Sequence, residues 1–227
     1  MMSSVYHSPR RAQAAQATRE AILNNALALF LERGYENVTV ADIAKAASVA
    51  TPTVYASTGG KAAIFAAVLE HAVADPAVEE TLTAVADARE PRTVIDLTAA
   101  GTRRAHERHW RVIYGLLRHP PSEPAARDVV EKGISSYLSA LDVIAGRLVQ
   151  LGGLREGIDR GTALDVLWFH LGQRAWFTLV GDRGWSFDRA QAWLAESAGR
   201  ALLPAPGESR PTSRASSAAP GSRTGDT

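Results

Sequence analysis

The chain has 227 residues, 46% of them hydrophobic, with 25 basic and 24 acidic side chains and a formal charge of +1. That length holds one large domain, or a small and a medium one, and the apolar share is enough for a true core. Cysteine is absent, which excludes disulfides, thiolate metal sites and cysteine nucleophiles and fits a reducing cytoplasm; the near-zero charge leaves any nucleic-acid argument to charge placement.

The chain order reads as all-α, because helical periodicity recurs and alternating β-branched runs are nearly missing. Residues 1–11 are polar, without the apolar run of a signal peptide, and are expected to form a disordered arm. A first helix is expected from about Ala14 to Arg33, with Ile22, Ala26, Leu29 and Phe30 inward and Gly34 closing it. Thr39 opens a short helix, with Asp42 in the position of a capping-box partner. Ser48-Val49-Ala50 interrupts the chain, and Thr51-Pro52 restarts a helix, Thr51 as N-cap and Pro52 in first position. Gly59-Gly60 ends that piece, Lys61 to about Ala74 forms the next, and Asp75-Pro76 breaks the chain near a domain boundary.

Beyond the break a helical bundle is expected over residues 75–203. Its helices cover about Pro91 to His109, Trp110 to Arg118, Glu123 to Leu151, and a segment capped by Asp159 that reaches about Val180. Ser186 caps the last helix, with Ala190, Trp193, Leu194, Ala198 and Leu202 at helical spacing. Residues 204–227 are a Pro, Ser, Gly, Arg and Ala mixture expected to be disordered. No stretch is long and apolar enough to span a bilayer, so no membrane contact is expected.

Three short helices and a longer one within residues 12–74 form a helix-turn-helix layout. No acidic residue occurs between Asp42 and Glu70, while Lys45, Lys61, Thr51, Thr53, Tyr55, Ser57 and Thr58 supply donors, as a phosphate backbone requires. Pro52, Thr53 and Ala56 fall on the part of the recognition helix that reaches base edges or thymine methyls. Tyr55 either gives its hydroxyl to a phosphate or packs on the first helix. Lys61 places a cation at a helix N-terminus, against the helix dipole, which a bound phosphate would explain. The candidate DNA-binding set is Thr39, Lys45, Ser48, Thr51, Pro52, Thr53, Tyr55, Ala56 and Lys61.

The run Arg19, Ile22-Leu23, Ala26, Phe30, Gly34-Tyr35, Val38-Thr39-Val40, Ile43-Ala44, Ala47, Val49, Thr51, Thr53-Val54-Tyr55 and Lys61 resembles the DNA-binding domain of the TetR family. The resemblance implies phosphate contacts from Tyr55 and Lys61, Thr53 in the major groove, and a dimer built by the last two helices. Ser48 replaces the usual turn glycine, which suggests an altered turn, and Ser57-Thr58 stands where many members carry His-Phe. Leu154-Arg155-Glu156-Gly157, Gly184-Trp185-Ser186 and Trp193-Leu194 extend the likeness into the second half.

The segment from Ala163 to Val180 is apolar nearly all round, a pattern that a partner subunit would cover. Leu164, Trp168, Leu171, Trp193, Leu194 and Ala198 are the expected interface residues of a homodimer. His106, Trp110, Tyr114, Tyr137, Leu141, His170 and Arg174 are candidates for the wall of a small-molecule effector pocket, with core, surface or interface placement as the alternative for each. His106 and His109, with Glu107, suggest a metal site, but His-x-x-His without an evident third ligand is more often a pair of solvated side chains, so no metal and no cofactor are expected.

An enzyme is not expected. There is no Gly-x-Ser-x-Gly and no nucleotide-binding glycine loop; Gly60-Lys61 lacks the Ser or Thr that should follow, since Ala62 stands there. The expectation is a ligand-responsive DNA-binding regulator, a repressor released from a palindromic operator by a small apolar effector. A helical protein-binding adaptor, or an activator without an effector, is the alternative.

Overall fold

The computed structural model describes residues 9–73 and 75–205, and no strand occurs among them. Helix α1 spans Pro9–Arg33, so Pro9, Arg10 and Arg11 are helical rather than part of a disordered arm. Residues 1–8 of that arm and 206–227 of the expected tail lie outside the described residues. Gly34 ends α1 with φ 78°, and a 3₁₀ turn at Tyr35–Asn37 leads to α2, Val40–Ala46. The capping box at its start is complete: Thr39 accepts from the Asp42 amide, and Asp42 accepts from the Thr39 amide.

Ser48 sits in the left-handed region at φ 56°. The Val49 amide donates to the Ala44 carbonyl at 3.0 Å and the Ser48 amide to that of Lys45 at 3.2 Å, a Schellman termination of α2. The turn therefore keeps its geometry without glycine, at the expense of a strained serine. Ser48→Gly is expected to raise stability by about 0.5–1 kcal/mol, the left-handed penalty less the entropy glycine adds to the unfolded chain. Urea unfolding measures this, and an unchanged or lowered midpoint would refute the strain.

Helix α3 spans Thr51–Thr58. Its N-cap is Ala50, which makes no side-chain cap; Thr51 is the first helical residue and not the cap, and Pro52 is second. The Thr53 amide then bonds to the Ala50 carbonyl at 2.9 Å. Helix α4 spans Lys61–Val73.

Asp75-Pro76 does not leave a break. It starts α5, Pro76–Asp87, with the Asp75 carboxylate accepting from the Ala77 amide and Pro76 in the first turn. A cap followed by proline is a helix start as well as a stop. Helix α6 runs over Pro91–Leu117, and the boundary expected at His109 appears as a kink there, with φ −110° and ψ 18°. Helix α7 spans Pro124–Gln150.

The single helix expected to Val180 is interrupted. Helix α8, Arg160–Leu171, ends where Gly172 turns extended (ψ 165°). A short α9, Gln173–Trp176, and a π-helical turn, Phe177–Asp182, follow. Ser186 caps α10, Phe187–Leu202, through the Arg189 amide.

Two cores organise the molecule. The first unites Ile22, Phe30, Ile43, Val54, Ile64 and Phe65 of α1 to α4, and is completed by Leu116, Ala126 and Val130 from the α6–α7 hairpin. The second is formed by α5 to α10 around Ile95, Leu141, Leu148, Leu167, Trp176 and Leu194. Helices α5 and α6 approach closely at Gly101, where an added Cβ would lie 2.0 Å from the Thr81 hydroxyl. No described helix is long and apolar enough to cross a membrane.

Candidate DNA-binding surface and the cavity behind it

Helix α3 buries Val54 and Thr58 and exposes Pro52, Thr53, Tyr55 and Ala56. Tyr55 is 55% exposed, so its ring stands in solvent and is not packed into the core. Thr39, Lys45 and Ser48 are exposed as well, and Thr51 is half-buried. The Arg19 guanidinium donates to the Ser57 carbonyl at 2.8 Å and ties the C-terminal end of α3 to α1. This positions the exposed face without using a donor from that face. The surface thus offers hydroxyls, one free-standing aromatic ring and a lysine, with no carboxylate on α3 to repel phosphate.

Lys61 is engaged within the protein. Its ammonium donates to the Tyr35 carbonyl at 3.2 Å and lies 4.2 Å from the Tyr35 ring centroid. One of its three donors is thereby used, and the other two remain for a phosphate. Tyr35 and Glu36 also fasten the N-terminal unit to the turn before α7. The Tyr35 hydroxyl donates to Glu123 at 2.7 Å, and Glu36 accepts from the Ser122 amide at 2.6 Å and its hydroxyl at 2.7 Å.

Behind this surface, α5, α6 and α7, with Gln173 of α9, line a cavity of about 190 Å³ that is partly open to solvent. His106, Tyr137 and Leu141 line it, as expected from the sequence, and Leu82, Ile113 and Ile144 supply much of the remaining apolar wall. Four expected pocket residues lie elsewhere. Trp110 and Tyr114 stack on each other at 4.8 Å and meet Phe177 edge-on, and the Tyr114 hydroxyl bonds to Asp182. They follow or abut the α6 kink, which takes them out of phase with His106. Arg174 is exposed and His170 half-buried off the cavity; the extended Gly172 between them ends the helical register that would have put both on one face.

Sequence reasoning missed the residue that joins the two units. Asp75 lies between α4 and α5, lines the cavity, and is 5% exposed. It pairs with Arg108 at 2.8 Å and with His109, at the α6 kink, at 2.6 Å. Burial alone would raise its carboxyl, but the Ala77 amide, His109 and Arg108 outweigh that and hold it below its ordinary value. Reading Asp75-Pro76 as cap and first turn would have revealed it. His106 Nδ1 bonds instead to the Thr102 carbonyl at 2.7 Å, so the two histidines have separate partners. Among the described residues no group of three or more side chains is placed to hold a metal ion.

The expected interface residues divide by burial. Leu171, Leu194 and Ala198 are at most 1% exposed and belong to the second core, so they are covered within one protomer and cannot meet a partner. Leu164 and Trp168 are half-buried, and Trp193 is 49% exposed. Phe169 is the residue the sequence reading overlooked as an interface candidate. It is 76% exposed on α8.

Residues 22–68 match the family of bacterial regulatory proteins, tetR family. Among solved structures the chain resembles NalD of Pseudomonas aeruginosa, the secondary repressor of the MexAB-OprM multidrug efflux pump. The TM-score is 0.70 and the identity 23%, over 84% of this chain and 98% of that one. It also resembles SmeT, the repressor of the Stenotrophomonas maltophilia efflux pump SmeDEF, at TM-score 0.64 and 23% identity over 84% and 92% of the chains. FadR of Bacillus subtilis, solved in complex with stearoyl-CoA, matches at TM-score 0.65 and 19% identity over 80% and 98%. Comparison with curated protein sequences finds no match.

Proposed function

We propose that the chain, whose residues 22–68 match the tetR family of regulatory proteins, is a DNA-binding homodimeric repressor released from a palindromic operator by a small, largely apolar effector. The observation that carries the reading is the place of Asp75 in the cavity wall, two residues after the end of α4. A ligand in the cavity touches Asp75, which is the residue that follows the α4 region and starts α5. Helix α4 packs against α1 and against α6 and α7, so its tilt moves the reading head relative to the bundle. The similar solved structures of efflux-pump repressors support the repressor role.

A dimer places its two recognition helices about 34–36 Å apart to enter successive major grooves. An effector that favours a different α4 tilt changes that spacing and weakens operator binding by its differential affinity, typically about 1–3 kcal/mol. The face of α8 and α10 bearing Phe169 and Trp193 is the dimer surface in this reading.

A gel shift with DNA flanking the protein's own gene tests repressor against protein-binding adaptor. On DNA that binds, Lys45→Ala and Lys61→Ala are each expected to lower the salt slope by about one unit and to weaken all sequences alike. If Lys61→Ala lowers thermal stability and leaves the slope unchanged, its ammonium stays on Tyr35 in the complex and the phosphate role is refuted.

A further inference from the structure

The hydroxyl protons of the cavity wall are engaged within the protein, while its other polar side chains besides His106 are the ion-paired Asp75 and the Gln173 carboxamide. The hydroxyl of Thr81 donates to the Ala77 carbonyl, Thr98 to Val94, Thr102 to Ala99, Ser136 to Lys132 and Tyr137 to Leu171. All five residues line the cavity, so their protons are not free for a ligand. His106 has the opposite need. It is 3% exposed, and its Nδ1–H donates to the Thr102 carbonyl, which leaves Nε2 as a lone-pair acceptor with no partner in the protein. The ring stacks on buried Trp176 with centroids 5.4 Å apart and planes 21° from parallel, and the Trp176 indole N–H is likewise without a partner.

We propose that this cavity takes an uncharged, compact apolar molecule, of the single-ring phenol class, whose hydroxyl donates to His106 Nε2. The proposal rests on the effector reading above and names its ligand chemistry. Size fits: an apolar cavity of roughly 150 Å³ admits a benzene ring, and this one measures about 190 Å³. Polarity fits as well. Burial pushes the His106 imidazole down to about 4, so at neutral pH it accepts rather than donates. A buried acceptor left unpaired is costly, and a ligand hydroxyl relieves that cost. A carboxylate ligand has no donor for Nε2 and meets the Asp75 carboxylate, whose Arg108 and His109 partners are already committed to it.

The full-length protein is titrated calorimetrically with 4-propylphenol, its methyl ether, 4-propylbenzoate and 4-propylbenzylamine, with operator affinity measured in parallel. The phenol is expected to bind at least about tenfold more tightly than the ether, which has the same body and no donor. No binding is expected of the benzoate, and the amine is expected to be weaker than the phenol. In His106→Leu the phenol should lose its advantage over the ether while both still bind. If that variant does not fold, the phenol-to-ether ratio in the wild-type protein decides alone. An ether as tight as the phenol, a tighter benzoate or benzylamine, or no binding by any of the four overturns the proposal. Equal phenol and ether binding that still releases operator refutes the His106 contact and leaves the effector reading standing. Phenol-selective binding without any change in operator affinity supports the contact and refutes the effector reading.

Discussion

Leu194→Asp is expected to leave the protein unfolded, whereas Phe169→Asp is expected to yield folded monomers that have lost operator affinity. Leu194 is 1% exposed in the second core beside Trp176, Ala190 and Ala198. Removing its packing costs about 2–5 kcal/mol, and placing an unpaired carboxylate there adds several more. Against a typical total of about 5–15 kcal/mol, that sum abolishes folding or nearly so. Phe169 makes little use of its own protomer, being 76% exposed, so a charge there costs the fold little and acts on whatever covers the ring in a dimer. Circular dichroism and sedimentation of the two variants separate the outcomes. A folded, monomeric Leu194→Asp would place that residue at the interface after all. A dimeric Phe169→Asp would remove α8 from the dimer surface.

Lowering the pH from 7 to 4 is expected to cost about 3 kcal/mol of folding stability through His106 alone. The imidazole takes its proton near pH 6.5 in the unfolded chain and near 4 in the folded one. Its contribution is therefore complete above pH 6.5, declines as only the unfolded state protonates, and is lost below about 4. Desolvation is the main cause, opposed in part by the Thr102 carbonyl, which favours the protonated ring. Asp75 acts in the same direction at lower pH: its folded carboxyl is held below the ordinary 3.8, so its stabilisation is present above that value and lost as the pH falls further. Urea unfolding at stepped pH reads both. His106→Asn, which keeps an amide near Thr102, should flatten the decline between pH 6.5 and 4 and leave the steeper loss below it. An equal slope in both proteins would mean that His106 is protonated in the folded state with little penalty.

Much of the N-terminal unit was legible from residue order alone, because its signals are local. The Thr39–Asp42 capping box, the glycine stops at Gly34 and Gly59, and the inward run Ile22, Ala26 and Phe30 each depend on neighbours within a turn or two. The exposed face of α3 followed from the same periodicity. So did the caps at Asp159 and Ser186, where one side chain meets a backbone amide three residues on.

Only the tertiary structure decided which apolar stripes the chain covers itself and which it leaves exposed. Periodicity marks a stripe on α8 and α10 but gives no sign of what lies opposite. Leu171, Leu194 and Ala198 went to the protomer's own core, and Phe169 was left outside. The cavity depended likewise on geometry beyond local range. The α6 kink at His109 and the extended Gly172 reset the phase of the helices they interrupt, which kept His106 in the wall and removed Trp110, Tyr114, His170 and Arg174. Helix α5 was hidden by an Asp-Pro pair whose local chemistry is the same for a stop and a start. The choice was made by what α5 packs against, since Ala77, Thr81 and Val85 find buried places in the bundle, with Gly101 of α6 admitting the Thr81 side chain.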